Sequence, residues 1–160
     1  MAVTRRGMGL SIEIEGADKL IAKCQEGGKR VIAKPLRTAF RVAAKAVKAN
    51  IVTVARPISR SLTRKIRVSI DRGIGPVYAP RFGRVVNSAP WINVAENGRH
   101  PGAKMPPIGV LRGGFAAARV VAERGLPGRG VMSKAEQMSR PAVAAAFAAA
   151  AREIEAAWRD

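Results

Sequence analysis

The chain has few residues that could act as acids, bases or metal ligands. It contains one histidine, His100, and one cysteine, Cys24, and only 11 carboxylates against 29 Lys and Arg in 160 residues. Zinc needs three or four nitrogen or sulfur ligands, more than these two residues supply. The other candidate ligands or acids within reach of His100 in the sequence are Glu96 and Asp71. A Cys24–His100 nucleophile pair is disfavoured because Cys24 falls on the apolar side of a short helical segment, where a structural thiol is expected.

Two other patterns that could support chemistry are incomplete. The stretch GLPGRG at 125–130 is rich in glycine, but it lacks the strand-loop-helix context and the Lys-Ser/Thr of a phosphate-binding loop. Between Lys29 and Arg84 the only acid is Asp71, against fifteen Lys and Arg. This region therefore lacks the carboxylates that paired-carboxylate and two-metal mechanisms need. The sequence therefore predicts no enzymatic activity, no cofactor and no metal.

Positive charge dominates the composition. The net charge is +18, whereas a small soluble domain usually carries a net charge of about 2–8. Nucleic acid, an anionic surface or an acidic protein could balance it. The residues predicted to form a basic surface facing DNA or a partner are Lys34, Arg37, Arg41, Lys45, Lys48, Arg64, Lys65 and Arg67.

Three interpretations of this basic region stay open: contact with a phosphate backbone, contact with an acidic protein ring, and simple solvation of a helix and a strand. The aromatic residues there are only Phe40, Tyr78 and Phe82, which disfavours base stacking. No apolar run reaches the roughly 18 residues of a membrane span, and the N-terminus lacks the apolar stretch of a signal peptide. We therefore expect a protein made in the cytoplasm, with no membrane partner.

Hydrophobic periodicity predicts the elements of the first half. Alternation in LSIEIE (10–15) predicts a strand, and a short helix follows Gly16 and stops at Gly27. Apolar residues at spacings of three and four predict a long helix over 29–54, with Pro35 either in its first turn or at a kink. RKIRVSI (64–70) predicts a strand with Ile66, Val68 and Ile70 on a buried face.

The second half is predicted to complete a small antiparallel sheet and cover it with helices. Strands are expected at 77–79 and within 83–98, where Val85 and Val86 precede Trp91, Ile92 and Val94. Short helices are expected in PPIGVLRG (106–113) and over 115–125, then a loop over 126–138, and a C-terminal helix over 141–158 with Pro141 in its first turn. This order predicts an α+β fold, with a long basic helix and an Ala-rich helix on one face of the sheet.

Several strings point to a known group of proteins. The chain has a glycine-led short helix and a long basic helix in IEGADKLIAKCQEGGKRVIAKPLRTAFRVAAKAVKANI, and a strand entry in SRSLTRKIRV. It continues with WINVAENGRHPGAKMPPIGVL, which holds Glu96 and Gly98 of a Glu-x-Gly motif, then FAAARVVAERGLPGRG and SRPAVAAAFAAAAREIE. Together these resemble the tail-completion (head–tail joining, minor tail or neck) proteins of long-tailed bacteriophages. Asn97 replaces the family's usual aromatic, and Met138-Ser139-Arg140-Pro141 replaces its Pro-Phe.

The resemblance implies a structural role without catalysis. It implies a single domain over 1–160, with an insertion at about 98–130, that forms a homo-oligomeric ring in the virion at the head–tail junction. The implied partners are the head connector or adaptor and the tail terminator or tail tube proteins, with DNA in the channel as a further candidate. A loop made rigid by its Pro-Gly turn loses little conformational entropy when it docks against a neighbouring subunit. The predicted assembly-contact loop comprises Glu96, Gly98, Arg99, His100, Pro101, Met105, Pro106 and Pro107.

Overall fold

Two long helices and a four-stranded sheet form the frame of the protein. The computed structural model describes residues 2–6, 9–13, 29–73, 79–104 and 114–159. In chain order the elements are β1 (Ala2–Arg6), β2 (Gly9–Glu13), α1 (Lys29–Ala55), a 3-10 turn (Arg60–Thr63), β3 (Ile66–Ile70), β4 (Phe82–Asn87), α2 (Ile92–Asn97), β5 (Gly98–Arg99), α3 (Gly114–Arg124), β6 (Leu126–Pro127) and α4 (Val131–Arg159). The predicted α+β class is confirmed.

The main sheet is antiparallel throughout, with strand order β1-β2-β4-β3. Its inner face packs against α1, and α1 in turn packs along α4, the most extensive contact in the described structure. Opposite pairs such as Val68 and Val85 share the inner face. Val85 is fully buried there, but Val68 is 41% exposed, so the prediction that β3 buries its whole apolar face is wrong. β3 lies at the edge of the sheet, where α1 does not cover it completely.

The core is built mainly from the apolar stripe of α1. Phe40, Ala43, Val47 and Ile51 are all fully buried, as the spacing predicts. Phe40 meets Phe147 of α4 edge to face, with ring centroids 4.9 Å apart and planes at 85°, a favoured aromatic geometry. These contacts fix α1 between α4 and the sheet.

Both prolines of the long helices lie inside them. α1 begins at Lys29, so Pro35 is not in its first turn, and the helix continues through it. α4 begins at Val131, so the predicted loop over 126–138 is wrong from that residue onward, and Pro141 is interior rather than initial. Packing explains the longer α4, since Val131, Met132 and Ala135 all lie in the core and tertiary burial outweighs the local cost of proline.

The segment that contains Trp91, Ile92 and Val94 is helical rather than a strand. Pro90 follows β4, and the buried Asn87 side chain accepts from Ala89 N at 3.0 Å and donates to Leu62 O at 2.7 Å. These bonds turn the chain out of the sheet. Ile92 and Ala95 then fall on one buried side of α2, at a helical spacing of three.

The remaining predictions meet the structure in part. β2 confirms the strand predicted within 10–15 as far as Glu13, and α3 confirms the helix at 115–125, which ends at Gly125 with φ +75°. Ala79 lies outside any strand. The predicted short helices after Gly16 and over 106–113, together with residues 77 and 78, lie outside the described residues.

Candidate interaction surface

A cationic stripe runs along the exposed side of α1. Its members are Lys34, Arg37, Arg41, Lys45 and Lys48. All five are exposed, and α1 contains no Asp or Glu. Their spacings of three and four keep them on one side of the helix, and the stripe extends over about 21 Å at 1.5 Å per residue. This part of the predicted basic surface is continuous.

The other three predicted basic residues lie elsewhere. Arg64 and Lys65 are exposed in the turn that leads into β3, and Arg67 points to the outer face of the sheet because it alternates with Ile66 and Val68. Exposed Arg84 of β4 shares this outer face. The eight residues therefore form two surfaces, the cationic stripe and an outer sheet face, rather than one.

A groove lies between the N-terminal half of the cationic stripe and the edge strand β3. It has a volume of about 740 Å³. Its lining comprises Arg37, Arg41, Val68, Ile70, Asp71, Arg72 and Gly73. Arg37 Nη2 donates to the backbone oxygen of Arg72 at 3.2 Å, which fixes one wall. Asp71 is committed to Arg81, whose backbone N donates to Asp71 Oδ2 at 3.4 Å and whose Nε lies 3.7 Å from it.

The charge of the groove is therefore positive. Among the described lining residues the one carboxylate, Asp71, lies beside Arg81, while Arg37, Arg41 and Arg72 contribute three guanidinium groups. Arg41 makes no hydrogen bond or ion pair with another described residue. Arg72 was not among the predicted surface residues. In the sequence Arg72 is marked only by its position just after a predicted strand. That this strand lies beside α1 depends on tertiary packing, which the local sequence does not indicate.

The predicted contact loop divides into an internal base and an exposed tip. Glu96 is 5% exposed, and its carboxylate accepts from Met132 N at 2.6 Å, Ser133 N at 3.3 Å and Ser133 Oγ at 2.6 Å. It thus caps the N-terminus of α4, where free N–H groups and the helix dipole favour an anion. Glu96 is the last buried residue of α2, so the strand predicted within 83–98 does not extend to it.

Close backbone packing completes the base of the loop. Gly98 has φ +80°, and a Cβ there would lie 2.5 Å from Gly128 N and from Leu126 O. The two-stranded β5–β6 pair joins Gly98 with Pro127 and Arg99 with Leu126. Beside it, Gly130 N donates to Glu96 O at 3.2 Å. Glu96 and Gly98 therefore hold the base of the loop together, and the buried Glu96 carboxylate is bonded inside the fold.

The tip of the loop is exposed. His100 and Pro101 lie at the surface, and Ala103 N donates to His100 O across the turn at 3.4 Å. His100 is thus an exposed polar residue of this turn. Arg99 is half-buried, and its Nε is enclosed without a hydrogen-bond partner among the described residues. The rest of the predicted loop, Met105, Pro106 and Pro107, lies outside them.

The outer side of α4 is apolar over an unusual length. Residues 141–151 read PAVAAAFAAAA and contain no polar side chain. Val143 and Ala150 are buried against α1 and the core, whereas the opposite side is open. The exposed alanines are Ala142, Ala144, Ala145, Ala148, Ala149 and Ala151. Met138 of α4 is 50% exposed, and Phe115 and Val120 of α3 are 56% and 49% exposed.

Two ion pairs lie on the surfaces of helices and have structural roles rather than roles in a site. Arg119 Nε donates to Glu123 Oε1 at 2.7 Å along α3, and this hydrogen bond raises the pKa of Arg119. Arg140 and Glu136 form a similar pair on α4 at 3.0 Å. Over the described ranges no three His, Cys, Asp or Glu side chains gather as a metal site.

Comparison with known proteins gives no relative: no family model, curated protein or solved structure matches this chain. None of the helices in the described part of the chain is long and apolar enough to span a membrane.

Proposed function

We propose that this chain is a structural protein of a bacteriophage particle, which assembles as a homo-oligomeric ring at the head–tail junction and joins the tail tube to the head connector. The proposal takes its biological setting from the resemblance in the sequence. The structural observation that carries it is the open apolar side of α4 over residues 141–151.

A helix that is apolar on all sides is normally buried on all sides. The inner side of this segment packs on α1, whereas its outer side exposes six alanines. Alanine side chains let another helix approach closely and lose no rotamer entropy when they are covered. A neighbouring copy of the chain would bury this side, and repetition of that contact around an axis would close a ring.

The charge distribution supports a ring with a polyanion or acidic proteins nearby. Copies with a net charge of +18 repel one another unless their basic surfaces face away from the subunit contact. The cationic stripe lies on α1, and the open apolar side lies on α4. The ring would therefore direct the stripe toward DNA in a channel or toward acidic neighbouring proteins.

The mass of the purified full-length chain in sedimentation experiments, with electron micrographs of the same sample, tests the proposal. We expect ring-shaped oligomers, and we expect Ala145→Glu to dissociate them because it places a charge in the apolar contact. Ala156→Glu is the matched control, since it adds the same charge to an exposed position beyond the apolar segment. A monomer at all concentrations, or equal effects of the two variants, would contradict the assignment of this contact.

A second candidate function is non-specific binding of nucleic acid through the basic surface within 29–84. The continuous cationic stripe favours it, because five aligned cations can follow a phosphate backbone. Five phosphate contacts would give a slope of about −4.5 when the logarithm of the binding constant is plotted against that of salt concentration. Such a slope for random duplex DNA, measured on a chain that forms no rings, would replace the first proposal with this one.

A further inference from the structure

The outer edge of β3 carries backbone groups that pair with no other described residue. Asp71 N donates to Phe82 O at 3.0 Å, and antiparallel pairs alternate between bonded and non-bonded positions. Ser69 therefore bonds to β4, while the N–H and C=O groups of Val68 and Ile70 point away from it. A sheet edge of this kind is a template for another strand.

The side chains beside this edge suit an extended peptide with acidic residues. Val68 and Ile70 give the groove an apolar floor, and Val68 is 41% exposed although it lies on the inner face. A strand added beside β3 would turn alternate side chains toward α1, where Arg37 and Arg41 line the groove. Carboxylates at those positions would meet guanidinium groups, with which they can form strong charge-assisted hydrogen bonds.

We propose that β3 binds an extended acidic segment of a partner protein as a fifth strand of the sheet, with its carboxylates in the groove beside α1. The edge offers donors and acceptors in alternation, and a peptide backbone supplies both, whereas a phosphodiester supplies acceptors alone. Among the described residues that line the groove, none is aromatic and able to stack on a base. A second copy of this chain is disfavoured because its own charge is +18.

The inference rests on the proposed function only in taking the partner to be a neighbouring structural protein. The test uses the full-length chain and a fluorescein-labelled peptide of alternating glutamate and valine, with the lysine-valine peptide as the reference. Fluorescence anisotropy should show binding of the glutamate peptide and at least about tenfold weaker binding of the lysine peptide.

Variants of β3 separate strand addition from general attraction. Val68→Pro removes an N–H that faces the open edge and leaves the β3–β4 ladder intact, a position where proline is tolerated. We expect it to weaken binding of the glutamate peptide by about tenfold or more, because the proline ring blocks pairing of the peptide with β3. Val68→Thr keeps the N–H and a similar shape, so it should bind as the native chain does. Circular dichroism and the melting temperature verify folding of each variant.

Two charge-reversal variants test whether the peptide carboxylates bind in the groove. Arg41→Glu should weaken binding of the glutamate peptide about fivefold to tenfold. Lys48→Glu makes the same change in net charge about two helical turns away on the cationic stripe and should have little effect. Equal weakening by both variants would overturn the proposal, since it would show attraction to the whole stripe.

Backbone hydrogen exchange gives a readout that does not depend on the variants. The peptide should slow exchange at the amides of Val68 and Ile70 and leave Ser69 unchanged. If Val68→Pro fails to fold, absence of this protection in the native chain overturns the proposal. It is also overturned if random duplex DNA binds and the glutamate peptide does not. Each result is independent of ring formation, which sedimentation measures separately.

Discussion

At the scale of single residues, Glu96 has the clearest role. It is nearly fully buried, and it bonds the first turn of α4 from an element 36 residues earlier in the chain. Local capping signals in a sequence come from residues next to the helix start. A cap that arrives from α2 has no such signal, which is why Glu96 reads in the sequence as part of a surface motif.

Replacing Glu96 should destabilise the protein. Glu96→Ala leaves the N–H groups of Met132 and Ser133 without their acceptor, and we expect a loss of about 2–3 kcal/mol in the free energy of unfolding. Glu96→Gln keeps one acceptor oxygen and should lose less. Urea denaturation measures both. Glu123→Ala, which alters an exposed pair on α3, serves as control, and an equal loss there would argue against the capping role.

Two glycines in the segment 98–130 allow backbone strain to be distinguished from steric exclusion. Both have positive φ, but a Cβ at Gly98 would strike backbone atoms at 2.5 Å, whereas nothing lies within 4 Å of one at Gly102. Gly102→Ala should cost about 1–2 kcal/mol from conformation alone. Gly98→Ala should cost more than about 3 kcal/mol. Similar thermal shifts for the two variants would show that the β5–β6 base yields easily.

At the scale of elements, the periodicity of apolar residues predicts the helix and strands that form the core. The apolar stripe of α1 and the strands β2, β3 and β4 were predictable because their side-chain patterns follow helical or strand periods. The start of α4 was not, because Gly130 and Pro141 are local signals for a break, while the Glu96 cap and burial of Met132 act from a distance. Exposure of Val68 likewise depends on where α1 lies over the sheet.

The interior proline of α4 gives a prediction about helix stability. Pro141 is exposed and supplies no N–H to the carbonyl of Gln137. Pro141→Ala should therefore stabilise the protein by about 1–3 kcal/mol, as a rise in the urea midpoint would show. Ala144→Pro, one turn further along, should have the opposite effect. A destabilising Pro141→Ala would mean that the proline shapes the helix for packing.

At the scale of the whole molecule, charge and apolar surface act against each other. Association through α4 brings together subunits that each carry +18, and repulsion between them weakens as salt shortens the Debye length from about 10 Å at 0.1 M to about 3 Å at 1 M. Self-association and binding to DNA must therefore respond to salt in opposite directions.

Salt dependence of self-association is accordingly a direct prediction. The oligomeric fraction of the isolated chain, measured by sedimentation, should rise between about 0.1 M and 1 M sodium chloride as screening increases. Ala145→Glu should abolish the rise. If added salt dissociates the oligomers instead, ion pairs rather than the alanine face of α4 hold the subunits together.

Backbone hydrogen bonds close the base of the segment 98–130. The chain leaves α2 through β5 and enters α4 from the neighbouring strand β6. Beside these strands Arg129 N donates to Ala95 O at 2.9 Å and Gly130 N donates to Glu96 O at 3.2 Å. The ends of the segment between these points are held together, and lengthening a loop of this kind costs little extra entropy. The exposed tip at Pro101 and Gly102 is where a foreign peptide could be grafted, or where descendants of the same gene could diverge in size.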